Sequence, residues 1–171
     1  MGWFHFKGKD SRDFGILISA APEKVRAERR VDYVTIPGRS GELTVDEGTY
    51  APYVISVECG TRGSENLDEI LAWLNGAGDL ILCTEPDKVL RASIYNKISV
   101  ADMICLYNSF LLQFRVQPFK YSVNAAGDAL ELTAPTTIRN SGTVYSEPLI
   151  TVFGSGDITL TINGADFPLH G

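Results

Sequence analysis

The stretch TIPGRSGELTVDEGTYAPY, Thr35 to Tyr53, wraps a turn around a single arginine. Pro37 and Gly38 signal the turn, Arg39 projects from it, and Gly41 lets the backbone run back into ELTVDEG. The chemistry open to such a loop is narrow: a guanidinium that can make a planar, two-pronged pair with a carboxylate. A turn arginine with no acid beside it in sequence invites a partner on another subunit; the alternative is a salt bridge within its own hairpin. GRSGE is not the G-x-S-x-G of a hydrolase elbow, and GSGDIT lacks the third glycine of a dinucleotide fingerprint. Both read as turns.

Elsewhere the reactive residue types are scarce. The two histidines, His5 and His170, lie near opposite ends of the chain, so a Ser-His-Asp or Cys-His unit requires both termini to meet. His5 reads as one face of the alternating WFHF, and His170 as part of a flexible tail. Cys59, Cys83 and Cys105 each sit singly in apolar stretches without metal-ligand spacing, and are expected to be buried free thiols. Asp46-Glu47 is a bare acidic pair without the spacing of a calcium loop and reads as solvated loop charge. No catalytic, cofactor-binding or metal-binding residue is assigned. Exposed aromatics such as Trp3 or Tyr50 leave one rival reading, a small carbohydrate-binding β-sandwich module.

The elements that position these residues are mostly strands. Alternation of apolar and polar residues puts Val25, Ala27, Val31 and Tyr33 on one face of KVRAERRVDYVTI, and Tyr53, Ile55, Val57 and Cys59 on one face of PYVISVEC. WFHF, FGILIS, DLILC, RASIYNKISV, FLLQFRVQPF, PLITVFG and DITLTI add further short strands, which predicts an antiparallel sandwich or barrel. One segment breaks the period. Leu67, Ile70, Leu71 and Leu74 fall at helical spacing, Ser64 or Asn66 supplies an N-cap, and Asn75-Gly76 a left-handed stop, predicting a helix over about Asn66–Asn75. The class is therefore mainly β (α+β): an antiparallel β-sandwich with one α-helix.

The chain has 171 residues and a net charge of −6, from 21 acidic and 15 basic residues, which argues against general nucleic-acid binding. Charge is uneven: from Tyr121 onward Arg139 is the one basic residue against five acids, which suggests a boundary near residues 121–140. Past it, Gly154-Ser155-Gly156 and Asn163-Gly164 mark turns, the latter a hairpin signal. We therefore expect a domain over 1–125 and a second β unit over 126–171. No apolar run approaches the roughly 20 residues of a membrane-crossing helix, and the first residues lack a signal peptide's basic start and apolar centre. The expectation is a protein made in a cytoplasm, without membrane insertion.

Several segments, in order, resemble one family. FKGKDSRDFGI (Phe6 to Ile16), AERRVDYVTIPGRSGEL, DEGTY, FRVQPFKY (Phe114 to Tyr121) and NSGTVYSEPLITVFGSGDITLTING are similar to the distal tail proteins of bacteriophages with long, flexible, non-contractile tails. That resemblance implies a β-sandwich domain with one helix and a projecting β-hairpin, six copies of which form a ring around the DNA exit channel. It implies a virion protein of a phage or prophage tail tip, assembled in the bacterial host. Its implied partners are the tail tube protein above, and a tail-tip protein or tail-associated lysin and receptor-binding proteins below. It also implies no enzymatic activity and no cofactor. In such a ring a protruding loop meets a matching surface on the next copy, which makes Pro37, Gly38, Arg39 and Gly41 the candidates for a subunit interface. The family's second domain is a galectin-type sandwich, and the roughly 50 residues after Tyr121 are too few to close one, so that unit is expected to be incomplete.

Overall fold

A computed structural model describes residues 2–61, 67–98, 109–123 and 130–170. The chain separates into two compact units, Met1–Ala129 and Leu130–Gly171.

In the first unit a seven-stranded antiparallel sheet runs in the order β2 (Lys9–Asp10), β1 (Phe4–Phe6), β7 (Gly76–Leu82), β8 (Lys88–Ile94), β9 (Ser109–Ser122), β6 (Tyr53–Thr61), β3 (Ile16–Ile18). The sheet curls on itself. Its ends are tied together where Gly2, just before β1, bridges to Ile18 in the opposite edge strand, whose amide donates to the Gly2 carbonyl at 2.9 Å. The result is the sandwich-like β body expected from the strand pattern, with one α-helix, α1 (Leu67–Trp73), closing the core.

Period-two alternation explains which residues point inward. Along β6, Ile55, Val57 and Cys59 are buried while Val54, Ser56 and Glu58 are exposed, as the pattern predicts. Along β9, Phe110, Leu112, Phe114 and Val116 are buried and Leu111, Gln113 and Arg115 are exposed. Removing each such apolar side chain from water contributes roughly 1.5–3 kcal/mol. After Val116 the alternation fails. Leu90 pairs with Lys120 but Ala92 with Val116, so β9 carries extra residues around Pro118, which has no amide to offer the ladder and sits where none is needed.

The helix is shorter than expected, Leu67–Trp73 against about Asn66–Asn75, and its proposed caps Ser64 and Asn66 lie outside the described residues. Ile70 and Leu74 are buried, with Leu67 and Leu71 packed beside them. Gly76, at φ 98°, is the left-handed residue that turns the chain into β7. Trp73, which the helical spacing did not select, is also buried. Its ring stacks on Phe14 at 4.5 Å and on Phe4 at 5.7 Å, and its Nε1 donates to the Phe6 carbonyl at 2.7 Å. The Trp73 face widens the apolar stripe because an aromatic layer of Phe4, Phe6, Phe14 and Phe114 lies beneath it.

A 3₁₀ turn, Ser11–Phe14, is held at its start by Asp10. The Asp10 carboxylate accepts from the Arg12 amide at 2.8 Å and from the Arg12 guanidinium, and lies 3.0 Å from His5 Nε2. His5 is thus on the strand face read for it, and it is paired with a carboxylate there. Hydrogen bonds from Arg12 outweigh the effect of burial and hold the Asp10 carboxyl down at about 2, from an ordinary 3.8. A folded-state value below the unfolded one stabilises the fold above that unfolded value, and the contribution is lost as pH falls through the folded one. Urea midpoints of the parent chain should therefore drop between about pH 4 and pH 2. Asp10→Ala should lower stability by about 1 kcal/mol at neutral pH, the usual cost of a lost N-cap, and flatten that acid dependence. An unchanged slope in the variant would remove Asp10 from the acid response.

Cys59 and Cys83 are free thiols, Cys59 fully buried and Cys83 half-buried, while Cys105 lies outside the described residues. Burial pushes the Cys59 thiol up to about 12, so it is inert at neutral pH.

In the second unit, β10 (Ile158–Ile162) and β11 (Ala165–Leu169) form a hairpin whose turn has Asn163 at φ 50° and Gly164 at φ 82°, the geometry an Asn-Gly pair favours. His170 is not a loose tail residue: its Nδ1 lies 3.0 Å from Asp157, clasping the open end of this hairpin. PLITVF, expected as a strand, has extended sequence but no ladder, because no strand among the described residues lies alongside it.

Candidate assembly surface

The loop around Arg39 is the tip of an arm. β4 (Arg29–Thr35) and β5 (Glu42–Tyr50) pair only with each other, as a two-stranded sheet separate from the body. Asp32 through Thr49 are all exposed. The sequence places Val31 and Tyr33 on a covered face; Val31, at the base of the arm, is half-buried, but Tyr33 is 65% exposed. Val25 and Ala27, earlier in the same run, are indeed turned inward, and the pattern changes meaning where the chain leaves the body.

The tip follows its residue types. The Arg39 amide donates to the Ile36 carbonyl at 3.1 Å, closing a four-residue turn with Pro37 and Gly38 in the middle. Gly38 at φ 81° supplies the left-handed centre of a type II turn, and Gly41 at φ 84° redirects the chain into β5. Among the described residues no carboxylate lies within ion-pair distance of Arg39, so the intrachain salt bridge that was the alternative for this turn is not formed.

Cross-strand register sorts the arm's side chains. Val34 stands opposite Leu43, and Asp32 opposite Val45, on one face; Tyr33 opposite Thr44, and Thr35 opposite Glu42, on the other. The first face therefore carries Val34, Leu43 and Val45 side by side, all more than two-fifths exposed and none of them part of the hydrophobic core. Sequence reasoning missed this face, because its residues come from two strands and are adjacent only once the register is known.

The base of the arm is fixed by a bulge. Arg29 pairs with Tyr50 but Val31 with Asp46, so Glu47, Gly48 and Thr49 carry extra length on β5, with Gly48 at φ 73°. Asp46 is not the solvated loop acid it resembles in sequence. Its carboxylate accepts from Arg29 Nε at 2.8 Å and from the Gly48 amide at 2.8 Å, and these bonds hold its pKa below the usual range. Arg29 also lies over the Tyr50 ring, which meets Phe119 edge-on at 5.6 Å. Arm and body are therefore joined through Tyr50 at the bulged stretch of β9.

The aromatics considered for sugar binding are already engaged within the chain. Tyr50 has Phe119 and Arg29 on it, and Trp3 has the Arg12 guanidinium 5.3 Å from its ring centre and His5 against its edge. Among the described residues, no group of three or more His, Cys, Asp or Glu converges, and no helix is long and apolar enough to cross a membrane. The two histidines belong to different units, each beside its own aspartate.

The fold has a counterpart among solved structures. It is similar to the crystal structure of the SPP1 Dit (gp 19.1) protein, described as a paradigm of the hub adsorption apparatus in phages infecting Gram-positive hosts. The TM-score is 0.58 at 15% identity, over 71% of this chain and 52% of that one. The fold is of the Dit type. The match spans about half the length of that Dit protein. No family model and no curated protein matches the sequence. At this identity the Dit-type likeness rests on architecture and not on shared side chains, so the arm's residues are read on their own chemistry.

Proposed function

We infer that this chain is a structural protein of a phage or prophage tail tip, acting by assembly and not by catalysis. In this reading residues 1–125 form the ring-building domain. Six copies close into a ring around the DNA exit channel, between the tail tube above and the tail-tip, lysin and receptor-binding proteins below. Residues 126–171 belong to a second β domain. The observation that carries the reading is a Dit-type fold bearing an arm that is exposed from Asp32 through Thr49 and has an apolar face, Val34, Leu43 and Val45, each more than two-fifths exposed. A ring repeats one heterologous interface head to tail, and an arm of this kind gives each copy something to place on the next.

Arg39, with Pro37, Gly38 and Gly41 shaping its turn, gives that contact orientation through planar hydrogen bonding. Arg39→Ala is expected to weaken self-association by about tenfold in sedimentation equilibrium, the loss typical of one charge-assisted hydrogen bond, with an unchanged thermal midpoint. Equal association of parent and variant would remove Arg39 from the interface. A lumen through which DNA slides has no use for tight phosphate contacts, so this reading includes weak or absent binding to duplex DNA at physiological salt.

A further inference from the structure

The outer faces of β7, β8 and β9 enclose an open groove of about 410 Å³, with Asp79, Arg91, Ser93, Tyr95, Arg115 and Gln117 among its lining residues. Its charges do not pair with one another. Asp79 stands directly opposite Arg91 in the ladder, yet the two make no ion pair; the Arg91 guanidinium instead lies over the Tyr121 ring, 4.7 Å from its centre. Arg115, opposite Ser93, has no carboxylate within ion-pair distance among the described residues. Arg91 and Arg115 are diagonal neighbours across the β8–β9 ladder, roughly 7–8 Å apart at their backbones, so two like charges share the groove with one free acid at its rim. Tyr95 is 74% exposed beside them.

The arm carries the opposite arrangement. Arg39 is at the tip, and Asp32, which has no ion-pair partner among the described residues, lies on the face with Val34, Leu43 and Val45. From Asp32 to the level of the turn is four residues of strand, about 13 Å. From Asp79 to Arg115 is two strand spacings across and two residues along, about 12 Å. A positive tip followed by a negative residue on the arm thus matches a negative rim followed by a positive residue in the groove, at the same separation. Between Asp79 and Arg115 the groove presents Ser93 and Arg91, the latter turned onto the Tyr121 ring.

We propose that the β7–β8–β9 groove of one copy receives the arm of a second copy, Arg39 pairing with Asp79 and Asp32 facing Arg115. This rests on the assembly reading and names the surface that reading requires.

Charge reversal in the full chain tests it. Arg39→Asp and Asp79→Arg, each alone, should weaken association by about tenfold or more in sedimentation, because each places like charges in contact. An equimolar mixture of the two variants should recover parental association to within about threefold. In an alternating assembly every arm then meets a groove of opposite sign. As a second readout, copies carrying Arg39→Cys mixed with copies carrying Asp79→Cys should form an inter-chain disulfide under mild oxidation, faster than either alone. This trap registers weak encounters as well as stable rings. If the mixture recovers nothing and the trap fails while the parent still associates, the groove is overturned and the assembly reading stands. A parent chain that neither sediments above the monomer nor is trapped overturns both. Duplex DNA or an acidic polysaccharide retained by the parent and released by Arg115→Glu would reassign the groove to an anionic polymer.

Discussion

Phe114→Ala is expected to cost about 3–5 kcal/mol of folding stability, the usual range for deleting a large aromatic from a packed interior. Phe114 is fully buried on β9, and the rings of Phe4 and Phe6 both meet it edge-on, at 5.6 and 5.5 Å. It joins an interior strand of the body to the N-terminal strand β1, which is three residues long and pairs with β7 over those three residues. Since single domains are stable by about 5–15 kcal/mol, such a loss removes a large part of the total. Urea unfolding of parent and variant measures it, with Phe114→Leu as the conservative control, expected to retain most of the stability. A loss below about 1 kcal/mol for the alanine variant would mean that the aromatic layer does not hold the body together.

The second large effect falls on assembly and leaves the fold untouched. Val34→Asp combined with Leu43→Asp puts two carboxylates opposite each other on the open face of the arm. Both positions are exposed, so folding stability should change little, by about 0.5 kcal/mol per exposed site and the small repulsion of a like-charged cross-strand pair. Self-association should fall by a hundredfold or more, since a mating surface would have to bury two charges without partners. Sedimentation and thermal unfolding on one preparation separate the outcomes. Loss of both, or retention of both, contradicts the assignment of this face.

How far the sequence spoke depended on whether a segment packs on the body. In β6 the alternation Ile55, Val57, Cys59 has one physical reading, because a strand with one buried face must repeat every second residue. The same alternation in β4 is ambiguous. Val31 and Tyr33 both have the apolar character of a core face, but Val31 is half-buried at the arm's base while the arm carries Tyr33 beyond the core. The turn around Arg39 was legible for a local reason: Pro37, Gly38 and Gly41 restrict the backbone directly, and no distant contact is needed to place them.

What escaped the sequence was pairing at long range. Arg29 and Asp46 are 17 residues apart and meet only because a bulge offsets their strands. His170 and Asp157 are 13 apart and meet across a hairpin. The groove draws its lining from three strands spread over residues 77–117, and no spacing rule gathers them. Trp73 was hidden differently: helical periodicity selects a stripe, and a bulky ring one position off that stripe still reaches the core when aromatic neighbours lie below it.

The extra residues at Glu47–Thr49 constrain how this protein can drift over generations. Because successive strand residues point to opposite sides, losing one residue from that irregularity would put Tyr50 on the other side of β5 relative to Leu43 and Val45, and so turn the apolar face over with respect to the Tyr50–Phe119 anchor. A lineage can lengthen or shorten its limb here only by even steps, or else must rewrite the complementary surface at the same time. Geometry at the shoulder thus acts as a ratchet on the hand, and variation in reach is expected at the Pro-Gly fingertip, where insertion leaves the handedness of both strands intact.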